Sequence, residues 1–148
     1  MTKPATTVET IATSCIAGRL RLLNRVVTNL YDDALRPFGL KLSQGNVLAV
    51  TAKLGVARPA QVCDLLELDP STLSRTVDRM AGNGWLEILP DDDGRSHPFR
   101  LTDEGRRLME RAIPAWERAQ AEATKLLGGD GLRLLDEAVR RVKSAQAG

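Results

Sequence analysis

Residues 69–89 read DPSTLSRTVDRMAGNGWLEIL. Asp69-Pro70 is a helix start: the carboxylate caps first-turn amides, and proline, lacking an N–H, suits the first helical position. Leu73, Val77 and Met80 then fall on one face, while Ser71, Arg75 and Asp78 point the opposite way. Thr72, Ser74 and Arg79 lie on the flanks. The helix runs to about Ala81, and Asn83-Gly84 ends it in a left-handed turn. Beyond it the period changes. Trp85 to Leu89 and Pro98 to Leu101 read as two short strands, joined by a turn from Asp91 to Arg95 that holds the pair Asp93-Gly94. Pro98 cannot donate a ladder bond and keeps this hairpin short.

Working outward, a helix starting at Pro59 uses Ala60, Val62, Leu65 and Leu66. Ser43 is a plausible N-cap for the helix before it, through Val47, Leu48 and Val50 to Leu54, with Gly55 at its exit. The order is helix, helix-turn-helix, hairpin: a winged helix over 43–103. Residues 1–10 read as a flexible tail. One long helix follows from Ile11 to about Leu35, stopped by Pro37. Its stripes, Ile16-Leu20-Leu23-Val27-Leu30-Ala34 and Cys15-Leu22-Val26, make it apolar on more than one side. Such a helix lies deep in a core or packs against another chain. Thr102 caps a long fifth helix with Asp103 and Glu104 in its first turn. Pro114 should kink that helix, and Gly128-Gly129-Asp130-Gly131 is a turn to a sixth with Leu132, Leu135, Ala138, Val139 and Val142. The fold class is mainly α with a small β-wing, and 11–148 is a single domain.

With 148 residues, 43% hydrophobic and 27% charged, the chain is globular and long enough for one core. Aromatics at 3% leave that core to Leu, Val, Ile and Ala. Two cysteines argue against a disulfide scaffold and for a reducing, cytoplasmic setting. No apolar run is long enough for a membrane span, so no membrane partner is expected. The net charge of +2 is unevenly spread: residues 1–57 carry +4, 58–101 carry −3 and 102–148 carry +1.

The outward face of the helix after Asp69 is short, polar and basic. The major groove admits one helix and presents acceptors to arginine and hydroxyl donors. A solvated helix face would have the same composition. Arg95, just past the turn, would project from the wing, where a narrow minor groove attracts arginine.

The stretch Leu42 to Gly105 resembles the MarR family of bacterial transcriptional regulators. The carrying residues are Leu42-Ser43-Gln44, Ser71 to Met80, Gly84-Trp85-Leu86-Glu87, Asp93-x-Arg95-Ser96 and Leu101-Thr102-x-x-Gly105. The flank Leu35-Arg36-Pro37-Phe38-Gly39-Leu40 also fits. The resemblance implies a homodimeric, sequence-specific repressor on double-stranded DNA with a pseudo-palindromic operator. Segments 11–36 and 104–148 would then be dimerisation helices. It places Ser71, Thr72, Ser74, Arg75 and Arg79 at recognition-helix positions and Arg95 at the wing position, with Pro59 and Gln61 near phosphate. It implies a small-molecule effector between the dimerisation helices and the winged domain; Leu20, Leu23, Val47 and Met109 are the candidate pocket residues by position. The acidic sum of 58–101 predicts modest affinity and a shallow salt dependence.

Cys15 is the candidate redox-sensing thiol. A peroxide-sensing branch of the family has its cysteine at the position of Ala17, two residues away, and only Tyr31 matches a partner tyrosine. Arg19, one turn on, would lower a thiol pKa. Cys63 reads as core packing. One histidine and two distant cysteines draw no metal site, the 91–94 acidic run is a turn, and no nucleophile set or cofactor-binding motif occurs. The chain is therefore read as no enzyme and without cofactor. Two rivals stand beside the ligand-responsive regulator: a regulator triggered by oxidation of Cys15, and a dimeric protein–protein module without an operator.

Overall fold

The structure, a computed structural model, describes residues 6–91 and 96–148. Its elements are α1 (Thr7–Ser14), α2 (Ile16–Leu35), a 3₁₀ turn (Arg36–Phe38), α3 (Leu42–Leu54), α4 (Pro59–Leu66), α5 (Pro70–Gly82), β1 (Leu86–Ile88), β2 (Phe99–Leu101) and α6 (Asp103–Ala147).

The main core gathers all the central elements. Val47 and Leu48 of α3, Val62 of α4, Leu73 and Met80 of α5, Phe99 of β2 and Leu108 of α6 pack together. A smaller cluster joins Tyr31 of α2 to Ala119 and Ala123 of α6. There the Tyr31 hydroxyl donates to Gln120 Oε1, and its ring lies 6.2 Å from that of Trp116.

The wing is antiparallel, with Leu86 opposite Leu101 and Ile88 opposite Phe99. Leu89 N–H donates to Pro98 O at 2.8 Å. The strands have three residues each, as the proline at 98 requires. Ala57 bridges to Phe99 on the far side of β2, so the wing is tied directly to the loop between α3 and α4. Arg58 and Asp91 form a second tie, 3.7 Å apart.

Four expectations change. The long N-terminal helix is two helices, broken at Cys15 (φ −61°, ψ 119°). No glycine or proline marks that break, and α1 buries no residue, so periodicity alone reads through it. The tail also shortens: Thr6 and Glu9 form a reciprocal capping box that starts α1 at Thr7. Ser43 is not the cap of α3. The helix begins at Leu42, whose amide donates to Asp32 Oδ1 of α2 at 2.7 Å, while Gln44 folds back onto the Lys41 amide at 3.0 Å. The fourth change is the turn after Leu127, in a helix that holds Pro114 inside it. The helical backbone continues through Pro114 to Gly128, whose φ of 72° and ψ of 165° suit only glycine, and resumes at once. The four-residue turn is thus a one-residue hinge between 103–127 and 129–147.

Candidate nucleic-acid interface

α5 exists as drawn from its sequence. Leu73, Val77 and Met80 are buried, and Ser71, Ser74, Arg75, Asp78 and Arg79 are exposed, with Thr72 half-buried. The cap holds more than backbone. Asp69 Oδ1 accepts from the amides of Ser71 (3.0 Å) and Thr72 (3.1 Å) and from Ser71 Oγ (2.5 Å). Its Oδ2 accepts from Thr72 Oγ1 at 2.5 Å. The Ser71 hydroxyl first, then that of Thr72, with the two amides, hold the Asp69 carboxyl well below the ordinary carboxylate range. The two hydroxyls read from the sequence as groove donors therefore already donate to Asp69. Thr76 Oγ1 is likewise committed, to Thr72 O at 2.9 Å. Ser74 makes no side-chain hydrogen bond among the described residues.

A polar cleft of about 210 Å³ separates α5 from the start of α3. Lys41, Arg75 and Arg79 line it together with Ser43, Gln44 and Thr72. None of these three cations is in an ion pair among the described residues. Lys41 was not singled out from the sequence. Its signal is a cation immediately ahead of a helix that ends up beside the basic face of α5, a juxtaposition that exists only in three dimensions. By contrast, three acidic groups of this region are engaged: Glu87 pairs with Arg100 at 2.9 Å, Asp91 with Arg58, and Asp69 accepts the hydrogen bonds of the α5 cap. Asp78 is the acid left on the α5 surface.

A second cleft, of about 300 Å³, lies between α5 and the wing, with Pro59, Ser74, Asp78, Ile88 and His97 on its walls. Gln61 is exposed on α4. Arg95 and the Asp93-Gly94 turn lie outside the described residues.

The four candidate pocket residues do not meet. Val47 is completely buried in the main core. Leu20 and Leu23 line a groove of about 610 Å³ with Leu127, Leu134 and Leu135, between the start of α2 and the end of α6. Met109 lines a separate apolar cleft of about 250 Å³ with Leu35, Leu40, Ile113 and Trp116. Position in the chain could not distinguish them, because the start of α2 lies against residues 127–135 of α6 and its end, at Leu35, lies against residues 109–116.

Cys15 is exposed at the break between α1 and α2, and Cys63 is buried. Arg19 directs its guanidinium to Thr13 O at 3.3 Å. Tyr31 lies four turns further along α2, so the structure does not bring tyrosine and Cys15 together. Burial first, then Asp64 and Asp69, raises the Cys63 thiol pKa. Among the described residues no cluster of His, Cys, Asp or Glu could hold a metal ion, and no helix is long and apolar enough to cross a membrane.

The helices α3, α4 and α5 and the wing fall within one contiguous stretch, and a sequence model of the MarR family matches residues 38–96 of it. Over this stretch the chain is similar to the MarR family. It is 28% identical over 102 residues to the HTH-type transcriptional regulator PecS of Dickeya dadantii, a match spanning 66% of this chain and 61% of PecS. It is 29% identical over 129 residues to the multiple antibiotic resistance protein MarR of Salmonella typhimurium, covering 84% of this chain and 89% of that one. Among solved structures it is similar to the Mycobacterium tuberculosis regulator MOSR in complex with DNA. That TM-score is 0.78 at 29% identity, covering 90% of this chain and 98% of the other.

Proposed function

We propose that this chain is a homodimeric, sequence-specific DNA-binding regulator of the MarR family, a cytoplasmic repressor and not an enzyme, whose DNA affinity a small ligand modulates. The observation that carries the reading is the exposed face of α5, where Arg75 and Arg79 stand beside Lys41 at the head of α3 and next to a short wing. Arg75 reads major-groove edges, Arg79 and Lys41 hold phosphate, and Ser71, Thr72 and Ser74 face the bases. Arg95 enters the minor groove from the wing. The relative MOSR, which forms a complex with DNA, supports the same reading.

Two unpartnered apolar surfaces support the dimer. Ile16, Leu20 and Leu22 of α2 are 72%, 56% and 62% exposed, and Leu134 and Val142 of α6 are 61% and 56% exposed. A monomer rarely leaves such contiguous surface in water. The cleft around Met109 and Trp116, between α6 and α3, suits a small apolar effector. The test is a gel-shift titration against the DNA upstream of the coding gene, at two salt concentrations with a scrambled competitor. A selective, salt-sensitive shift is expected. Equal binding to the competitor would overturn the reading in favour of a protein–protein module.

A further inference from the structure

We infer that Asp69 sets the base preference of α5: by fixing the Thr72 and Ser71 hydroxyl hydrogens on itself, it makes both hydroxyls pure acceptors, selecting adenine or cytosine opposite them. The inference rests on the reading of α5 as the DNA-contacting helix. A free serine or threonine hydroxyl has one donor and two acceptor sites and rotates to suit its partner, so it discriminates poorly. Here that rotation is stopped. Ser71 Oγ donates to Asp69 Oδ1 and Thr72 Oγ1 to Oδ2, both at 2.5 Å. The same carboxylate takes the two backbone amides, so it cannot swing away without uncapping the helix.

Two consequences follow. Phosphate oxygens require donors, and these hydroxyls have none left to give. The adjacent carboxylate charge also repels phosphate. What remains for the outward lone pairs is a donor on a base edge, and the major groove offers the N6 amino group of adenine and the N4 amino group of cytosine. Guanine and thymine present carbonyl acceptors at the corresponding place and would face another acceptor. Ser74, whose hydroxyl is unengaged among the described residues, keeps the tolerance that Ser71 and Thr72 have lost.

Asp69→Asn separates this role from capping. Asparagine caps as well as aspartate. Its Oδ1 would keep the two amides and the Ser71 hydroxyl, but its Nδ2 is a donor facing Thr72 Oγ1. Thr72 must then accept from it and turn its own hydrogen outward. The preference opposite Thr72 should move from adenine or cytosine to guanine or thymine, while that opposite Ser71 stays.

The experiment is selection from a randomised duplex library by the full-length wild type, Asp69→Asn and Thr72→Val, with sequencing of the bound pools. Wild type should favour adenine or cytosine at a position where Thr72→Val shows no preference, by roughly two- to tenfold for one hydrogen bond. Asp69→Asn should invert that position. A second measurement needs no variant: replacing the selected adenine by purine, or the selected cytosine by its analogue without the amino group, should weaken wild-type binding by the same factor. A wild-type preference for guanine or thymine there, or none that depends on Thr72, overturns the inference. So does an Asp69→Asn pool identical to wild type, or full binding to the amino-deleted duplex. A wild type that enriches no sequence at all overturns the DNA-binding reading along with it.

Discussion

Ala57 and Phe99 exchange both of their backbone hydrogen bonds, Ala57 N–H to Phe99 O at 2.8 Å and Phe99 N–H to Ala57 O at 2.9 Å. This pair converts a hairpin too short to persist alone into the outer part of a three-segment sheet anchored on the helix-turn-helix. Both residues are fully buried. Phe99→Ala should therefore cost about 3–5 kcal/mol, the usual range for emptying a core aromatic site. Urea unfolding checks this, and a loss below about 1 kcal/mol would show that the wing does not depend on the anchor.

Gly105 tests the junction between wing and α6. A Cβ placed there would sit 2.2 Å from the Trp85 carbonyl oxygen, a backbone atom that cannot step aside. That carbonyl also accepts from the Thr102 amide at 3.1 Å, so the crowding would disturb the start of α6. Gly105→Ala should destabilise by about 1–3 kcal/mol. Gly82 has nothing within 4 Å of an added Cβ, and Gly82→Ala should be neutral or stabilise by up to about 1 kcal/mol. Opposite signs in denaturant midpoint are expected.

Arg75 and Lys41 should fail differently. Arg75→Ala should cost about 1–3 kcal/mol on the cognate duplex and relax preference at one base position. Lys41→Ala should weaken all sequences alike and lower the slope of log affinity against log salt by about 1. Fluorescence anisotropy on cognate and scrambled duplexes over a salt series distinguishes the two, and identical behaviour would remove Lys41 from the phosphate role.

The two thiols should react at different rates. Cys15 is exposed and Cys63 is buried with its pKa raised. A thiol reagent at mildly alkaline pH should modify one equivalent rapidly in the native protein, and the second only in denaturant. The fast site should vanish in Cys15→Ser. Rapid modification of both would mean that α4 opens readily.

Asp69 gives a pH dependence of definite sign. Its folded pKa lies below the unfolded value of about 3.9. Its capping contribution is then fully present above that value and is lost as pH falls through the lower folded pKa. The thermal midpoint of wild type relative to Asp69→Asn should be constant above about pH 5 and decline only in stronger acid. A relative decline already complete by pH 4 would contradict the engaged carboxylate.

Much of the molecule was legible because it is built from local signals. Asp69-Pro70, Pro59 and Thr102 start helices wherever they occur with an apolar stripe behind them, and α5 needed nothing more. The start of α3 was misread because its amide partner, Asp32, lies ten residues away on another helix. The break at Cys15 carries no breaker residue at all. In the candidate site the exposed arginines followed from the helix wheel. Lys41 did not, since it joins them across a cleft between α3 and α5. The dual use of Asp69 was hidden for a different reason: a cap motif specifies which amides are taken, but not where neighbouring hydroxyl hydrogens go.

Gly128 makes α6 a geared arm. From 103 to 127 the helix is about 37 Å long. If the 129–147 half is held still, each degree of rotation at Gly128 carries Asp103, and the wing attached to it, through about 0.6 Å. Roughly five degrees moves it by the 3.4 Å rise of one base pair. The start of α2 lies against both halves, with Leu20 and Leu23 beside Leu127 on one side of the hinge and Leu134 and Leu135 on the other. The apolar side chains of that groove thus bridge a hinge whose far arm ends some 37 Å away.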